Sequence, residues 1–162
     1  MLDRPDWDSY FMDIVQIVKN RSSCIRRQVG ALLVKDHRII TTGYNGAPAG
    51  MAHCGDLGGC LRMKMGFAPG TGHEYCRALH AEQNAIMQAA IMGVSISDAT
   101  LYCTDSPCTL CAKMLIGVGV RRVVFLGEYP DRLAMDLFAE AGIPLERYNP
   151  DTRQTERYLS EA

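Results

Sequence analysis

The sequence predicts one α/β domain with three layers, α/β/α, around a mixed five-stranded sheet. Three observations carry this. Helix-like and strand-like segments alternate in the order α-β-β-α-β-α-β-α-β. At 162 residues one domain is the default, and it is long enough to bury a real core. The chain is 48% hydrophobic and 22% charged, which is a folded globular composition rather than a disordered one.

The elements follow in order. Residues 6–20 read as an amphipathic helix, because Trp7, Tyr10, Phe11, Ile14, Ile17 and Val18 recur at helical spacing behind Asp6, a natural N-cap. Residues 29–34 and 38–44 are two strands, joined by a hairpin turn at Lys35-Asp36-His37. Residues 45–79 form a long loop rich in glycine. A loop of that length inside a compact domain is functional or disordered. Residues 80–92 are a helix packed through Ala81, Ala85, Ile86, Ala89 and Ala90. Leu101-Tyr102-Cys103 is a short strand, Cys108 to about Gly117 a helix, and residues 123–126 a strand. Residues 131–141 are a helix stopped by Gly142 and Pro144, and 145–148 an edge strand. Residues 149–162 are a polar tail in which Tyr158 and Leu159 could dock on a neighbour. The hairpin makes the first two strands antiparallel, and the helical crossovers make the later ones parallel.

Net charge is −1. That argues against a nucleic-acid partner, which calls for a basic face. No apolar stretch is long enough for a membrane span. The start, Met1-Leu2-Asp3-Arg4-Pro5-Asp6, has no signal-peptide core, so a cytoplasmic location is expected. Thiols stay reduced there, and the seven cysteines read as metal ligands or core residues rather than disulfides.

The chemistry lies in two segments, His80-Ala81-Glu82 and Pro107-Cys108-Thr109-Leu110-Cys111. His80, Cys108 and Cys111 supply three zinc ligands and leave a fourth position for water. Cys108 and Cys111 are three apart at the start of a helix, so both sulfurs face one metal. The positive helix end there favours thiolate. Glu82 is placed to take a proton from the bound water, pass it to a ring nitrogen, and carry a second to departing ammonia. A thioredoxin-like redox pair would explain Cys108 and Cys111 alone, but it leaves His80 and Glu82 idle. The combined pattern is the signature of zinc nucleobase deaminases. Residues 1–148 are therefore read as a single zinc-dependent deaminase domain carrying the 45–79 insertion.

With Val29-Gly30-Ala31, Gly43-Tyr44-Asn45-Gly46-Ala47-Pro48-Ala49-Gly50, His80-Ala81-Glu82-Gln83-Asn84-Ala85-Ile86 and Thr104-Asp105-Ser106-Pro107 added, the chain resembles the deoxycytidylate deaminases of the cytidine-deaminase-like superfamily. The resemblance covers roughly residues 7–148. It implies deamination of dCMP to dUMP and ammonia, which supplies dUMP for thymidylate synthesis. It also implies that Asn45 bonds the substrate near its sugar, that backbone groups of Ala81 and Ser106 read the base edge, and that Tyr129 lies near the ligand. A nucleotide needs a phosphate receptor, and Arg26 and Arg27 are the candidates, Arg26 first.

The resemblance further implies a homo-oligomer, hexameric or dimer-based. It implies possible regulation by dCTP and dTTP near Tyr44, Asn45 and Gly46. Some family members carry a second, structural zinc in the region of the insertion. Cys24, Cys54, His73 and Cys76 would complete such a site here, with Cys60 and His53 as alternative ligands. Two other readings remain open. One is a deaminase of another cytosine nucleoside or nucleotide, a pterin- or flavin-like heterocycle, or tRNA adenosine. The other is a noncatalytic zinc-binding homologue.

Overall fold

The structure, a computed structural model, describes residues 4–129 and 131–158. Helix α1 (Trp7–Val18) opens on Asp6, whose carboxylate accepts the Ser9 N–H at 2.7 Å. Strands β1 (Gly30–Lys35) and β2 (Arg38–Tyr44) form the hairpin. Asp36 and His37 both take left-handed φ at its turn, as the right-handed twist of a tight hairpin demands. One helical turn, α2 (Leu61–Lys64), and a 3-10 turn at His73–Tyr75 lie within the long insertion. Then come α3 (Ala81–Met92), β3 (Thr100–Asp105), α4 (Thr109–Gly117), β4 (Arg122–Gly127), α5 (Arg132–Glu140), β5 (Leu145–Asn149) and β6 (Gln154–Arg157).

The sheet order is β2-β1-β3-β4-β5-β6. β1 runs antiparallel to both β2 and β3, while β3, β4 and β5 are mutually parallel. Side chains alternate between the faces. Leu32, Val34, Tyr102 and Val124 meet Phe11, Met12 and Val15 of α1 on one face. Ala31, Leu33, Leu101, Cys103, Val123 and Phe125 meet α3, α4 and α5 on the other. That is the three-layer arrangement the alternation of elements predicts.

The sheet has six strands, not five. β6 falls in the stretch read as a polar tail and pairs antiparallel with β5. Its sequence, Gln154-Thr155-Glu156-Arg157, has no apolar alternation, because an edge strand over solvent needs only backbone pairing. Tyr158 packs within its own chain, edge-on to Phe125 with centroids 5.1 Å apart. Leu159 lies outside the described residues. No helix among the described residues is long and apolar enough to cross a membrane.

Because β1 opposes both neighbours, β2, β3 and β4 run the same way and end at one edge of the sheet. Asn45, Ser106 and Tyr129 follow those ends. The N-termini of α3 and α4 return over the same edge.

Candidate metal centre and active site

His80 is the N-cap of α3 and Cys108 the N-cap of α4. Cys111 follows one turn into α4. His80 is anchored by its own backbone N–H, which donates to Gln83 Oε1 at 2.8 Å. Its Nδ1 lies 3.4 Å from both Cys108 Sγ and Cys111 Sγ. In a tetrahedral zinc site, bonds of about 2.1 Å to nitrogen and 2.3 Å to sulfur put those atoms about 3.6 Å apart. The donor trio fits zinc, with Nδ1 the nitrogen that faces both sulfurs. Among the described residues it is also the one group of three or more such side chains whose donor atoms all close within 4.8 Å. A hydrogen bond from Cys111 holds Cys108 down to about 4 against its burial, with His80 assisting, while the same bond and burial push Cys111 up.

Glu82 stands on the first turn of α3, 4% exposed. Burial pushes its carboxyl up to about 7, against the pull of His80. It borders a cavity of about 310 Å³ shared with His80, Cys108, Asn45, Ala81, Ser106 and Tyr129. That volume suits a small ligand. The sheet edge therefore gathers the predicted catalytic and metal residues and the predicted substrate residues in one place.

The polar atoms of those substrate residues are partly spoken for. Asn45 Oδ1 accepts from Val29 N–H at 2.9 Å and Ser22 Oγ at 2.6 Å, and its Nδ2 donates to the Arg27 carbonyl at 2.7 Å. An amide has two N–H donors, so one remains for a ligand. Ser106 N–H donates to the Gly127 carbonyl, leaving its own carbonyl as the open backbone group. The Ser106 hydroxyl bridges the Tyr129 backbone, which fixes Tyr129 beside the cavity. Ala81 N–H lies in the first turn of α3, where the helix offers no acceptor. Tyr44 and Gly46 are tied as well: the Tyr44 carbonyl accepts from Asn84 Nδ2, and Gly46 exchanges backbone hydrogen bonds with Leu79.

The cavity arginines differ in their partners. Arg27 Nη2 is 2.6 Å from Asp105 Oδ1. Arg26 lies against the Cys60 thiol, and its Nη1 is buried without a partner. Arg62, which the sequence did not single out, is also there, 8% exposed. Its Nε donates to the Thr71 carbonyl at 2.8 Å, and its Nη2 reaches the same oxygen. Nothing in the local sequence marks it, since its acceptor and its cavity come from folding.

In the insertion, Cys24, Cys54, Cys60 and Cys76 line the same cavity. Burial and the charges of Cys60, Cys76 and Cys24 push the Cys54 thiol up. Cys60 is the N-cap residue of α2, and against its burial the neighbouring Met63 and Arg62 N–H groups and the Arg26 guanidinium hold its thiol below the ordinary value. His73 stands apart: its Nε2 is 2.9 Å from the Tyr129 hydroxyl and its ring packs edge-on against His80.

The cytidine and deoxycytidylate deaminase zinc-binding region matches residues 5–127. The deoxycytidylate deaminase of Mycobacterium phage D29 is 43% identical over 132 residues, covering 78% of this chain and 99% of its own. That of Schizosaccharomyces pombe is 39% identical over 148 residues, covering 91% of this chain and 45% of its own. The chain thus spans about half the length of this yeast relative. The crystal structure of dCMP deaminase from the cyanophage S-TIM5, in complex with dCMP and dUMP, superposes with a TM-score of 0.74 at 31% identity, covering 90% of this chain and 99% of that one. The fold, the ligand trio and these likenesses agree: the chain belongs to the family of cytidine and deoxycytidylate deaminase zinc-binding domains.

Proposed function

We propose that the protein catalyses hydrolytic deamination of dCMP to dUMP and ammonia. The observation that carries this is the buried Glu82 beside the His80, Cys108 and Cys111 donors, in one small cavity with arginines. The names of its relatives support the substrate. Zinc held by His80 Nδ1, Cys108 Sγ and Cys111 Sγ would supply an open coordination position and a water of lowered pKa.

Glu82 accepts a proton from the attacking water and hands it to ring N3. That makes C4 more electrophilic. The hydroxide oxygen then bonds to C4, and Glu82 takes that oxygen's remaining proton and delivers it to the amine, which leaves as ammonia as the C4–N bond breaks and the C4 carbonyl forms. Its raised pKa suits a group that must both take and return protons near neutrality. The remaining Asn45 Nδ2–H, the Ala81 N–H and the Ser106 carbonyl orient base and sugar. Ammonia release from dCMP, CMP, deoxycytidine and dCTP tests the reading. Turnover of dCMP is expected, and activity on deoxycytidine but not dCMP would overturn it.

We also propose a second, structural zinc on the insertion, with Cys24, Cys54, Cys60 and Cys76 as ligands. The neighbouring N–H groups and Arg26 hold the Cys60 thiol below its ordinary value, which supports Cys60 as a ligand. His73 meets Tyr129 through Nε2, while its Nδ1 is buried without a partner. Four cysteines make the donor set of a structural site, and an ion would have to draw their sulfurs together, since no three of them lie within 4.8 Å of one another. Metal analysis should find two zinc ions per chain, one in Cys60→Ser and two in His73→Ala. A single zinc in the native protein would remove the second site.

A further inference from the structure

The insertion is tied to the rest of the protein by very little. Within residues 47–78 only Cys60 and Arg62 are buried, so this stretch has no core of its own. Its backbone hydrogen bonds run within the stretch, as do those of the His53, Arg62, Lys64 and Thr71 groups. At its base Gly46 pairs with Leu79. Among the described residues, one hydrogen bond between nitrogen and oxygen leaves it, joining His73 Nε2 and the Tyr129 hydroxyl at 2.9 Å. A second polar tie sets the Arg26 guanidinium against the Cys60 thiol. Between Cys60 and Cys76 there is no further cysteine, so the part that carries Pro69, Gly70 and His73 is not held directly by that tie.

Both partners of the lone bond face the ligand space. Pro69, Gly70 and His73 line the catalytic cavity from the insertion, and Tyr129 lines it from the loop after β4. The Tyr129 backbone is fixed by Ser106, whose hydroxyl donates to the Tyr129 carbonyl at 2.9 Å and accepts its N–H at 2.6 Å. The side chain then reaches across to the insertion, and the fit there is close. A Cβ on Gly70 would stand 2.9 Å from the Tyr129 hydroxyl, and Gly70 has a φ of +83°. Phe67 and Tyr75 stack with centroids 5.1 Å apart, which folds the segment between them into one piece. Its His73 ring packs edge-on to His80, with centroids 4.9 Å apart.

We propose that His73 is a positioning residue of this active site: through its bond to Tyr129 it straps the insertion over the bound nucleotide. The assignment rests on the dCMP reading above and adds to it a residue that takes no part in the proton transfers. A wall with few buried side chains and few hydrogen bonds to its surroundings opens locally at little cost. Holding it shut keeps the ligand enclosed beside Glu82. The ligand leaves only when the wall opens, so one bond resists both opening of the empty protein and loss of the ligand. The net worth of a single neutral hydrogen bond corresponds to about 3–10-fold in either.

The test uses zinc-loaded protein, amide hydrogen exchange without ligand, and calorimetric binding of dUMP. Tyr129→Phe removes the hydroxyl and keeps the ring. It should speed exchange about 3–10-fold at Thr71 and Tyr75, whose N–H groups bond within the insertion, and weaken dUMP by a similar factor. Exchange in β1 and β3 should not change. His73→Gln carries an amide to about the position of Nε2 and should recover part of both effects, whereas His73→Asn, whose amide matches Nδ1, should behave as His73→Ala. Tyr129→Phe combined with His73→Ala should do no more than the larger single change, since both remove the same bond. Native exchange and native dUMP affinity in Tyr129→Phe would overturn the proposal, and so would additive losses in the double variant. Weaker dUMP with native exchange would assign Tyr129 to a ligand contact alone and overturn it too. Loss of a zinc ion in His73→Ala would assign His73 to a metal, with the same consequence. If the native chain turns over dCMP while Tyr129→Phe exchanges and binds normally, the strap alone fails. If the native chain neither binds dUMP nor turns over dCMP, the substrate reading fails and takes this one with it.

Discussion

Gly43→Ala should damage stability and catalysis together, although Gly43 touches no ligand. Gly43 lies on β2 where α3 crosses it. A Cβ there would stand 2.0 Å from the Ala81 carbonyl oxygen and 2.6 Å from the Ala85 nitrogen. Both are main-chain atoms of α3, so no side chain can rotate away. Restoring an ordinary separation of about 3.4 Å means backing the helix off by roughly 1.4 Å. Overpacking of this kind costs about 1–3 kcal/mol, and a backbone clash belongs at the upper end. For a chain of this size that corresponds to a Tm lower by about 6–12 °C.

The displaced residue, Ala81, sits between His80 and Glu82. A misplacement near 1 Å at the reacting groups costs about 100-fold in rate. Gly117→Ala is the control. A Cβ there meets nothing within 4 Å. It should leave the rate unchanged and stability unchanged or up to about 1 kcal/mol higher. The assays are thermal unfolding and initial rates of ammonia release on zinc-loaded protein. Native Tm and rate in Gly43→Ala would refute the close-approach argument. A lowered Tm with native rate in the folded fraction would refute its link to the site.

Other perturbations follow from the same geometry. Glu82→Gln should retain its catalytic zinc by metal analysis yet lose about 10²–10⁴-fold in turnover, because the amide cannot carry the proton; retained turnover would refute the shuttle. Burial acts to raise the Asp8 carboxyl, but the two hydrogen bonds from Arg122 and one from the Tyr102 hydroxyl outweigh it and hold the pKa below the usual carboxylate value. The stability this provides is therefore present above the unfolded pKa of about 4 and is lost as pH falls through the lower folded value. Asp8→Asn should be less stable than the native chain by about 1–2 kcal/mol at neutral pH, with the gap narrowing in denaturation curves below about pH 4. Asp131 accepts from Thr109 N–H at 2.7 Å, the Thr109 hydroxyl at 2.6 Å and Ala134 N–H at 3.2 Å, joining the starts of α4 and α5. Asp131→Ala should cost about 1–2 kcal/mol in denaturant unfolding and weaken zinc retention, since Thr109 adjoins Cys108.

The metal trio was legible because its information is local. His80 and Cys108 each stand where a helix begins, Cys111 is one helical turn further, and Glu82 shares the turn with His80. The three-layer order was legible because each element's periodicity names its buried face. β6 was not, since an edge strand needs no apolar pattern. The division of labour among the arginines was not legible either. Arg26 and Arg27 are sequence neighbours, yet one meets Cys60 and the other Asp105. His73 resembled a metal ligand by type and spacing, yet folding places it between Tyr129 and His80.

The sequence by itself determined the chemistry: three zinc donors and a carboxylate, carried at helix starts whose backbone geometry is the same wherever such motifs occur. Tertiary structure decided the environment. It closed the donors to within 4.8 Å, buried Glu82, and brought Arg62 to the cavity from the distant insertion. Ligand identity is a property of residue type and local spacing. Burial and charge pairing depend on segments far apart in the chain, and only packing brings those together.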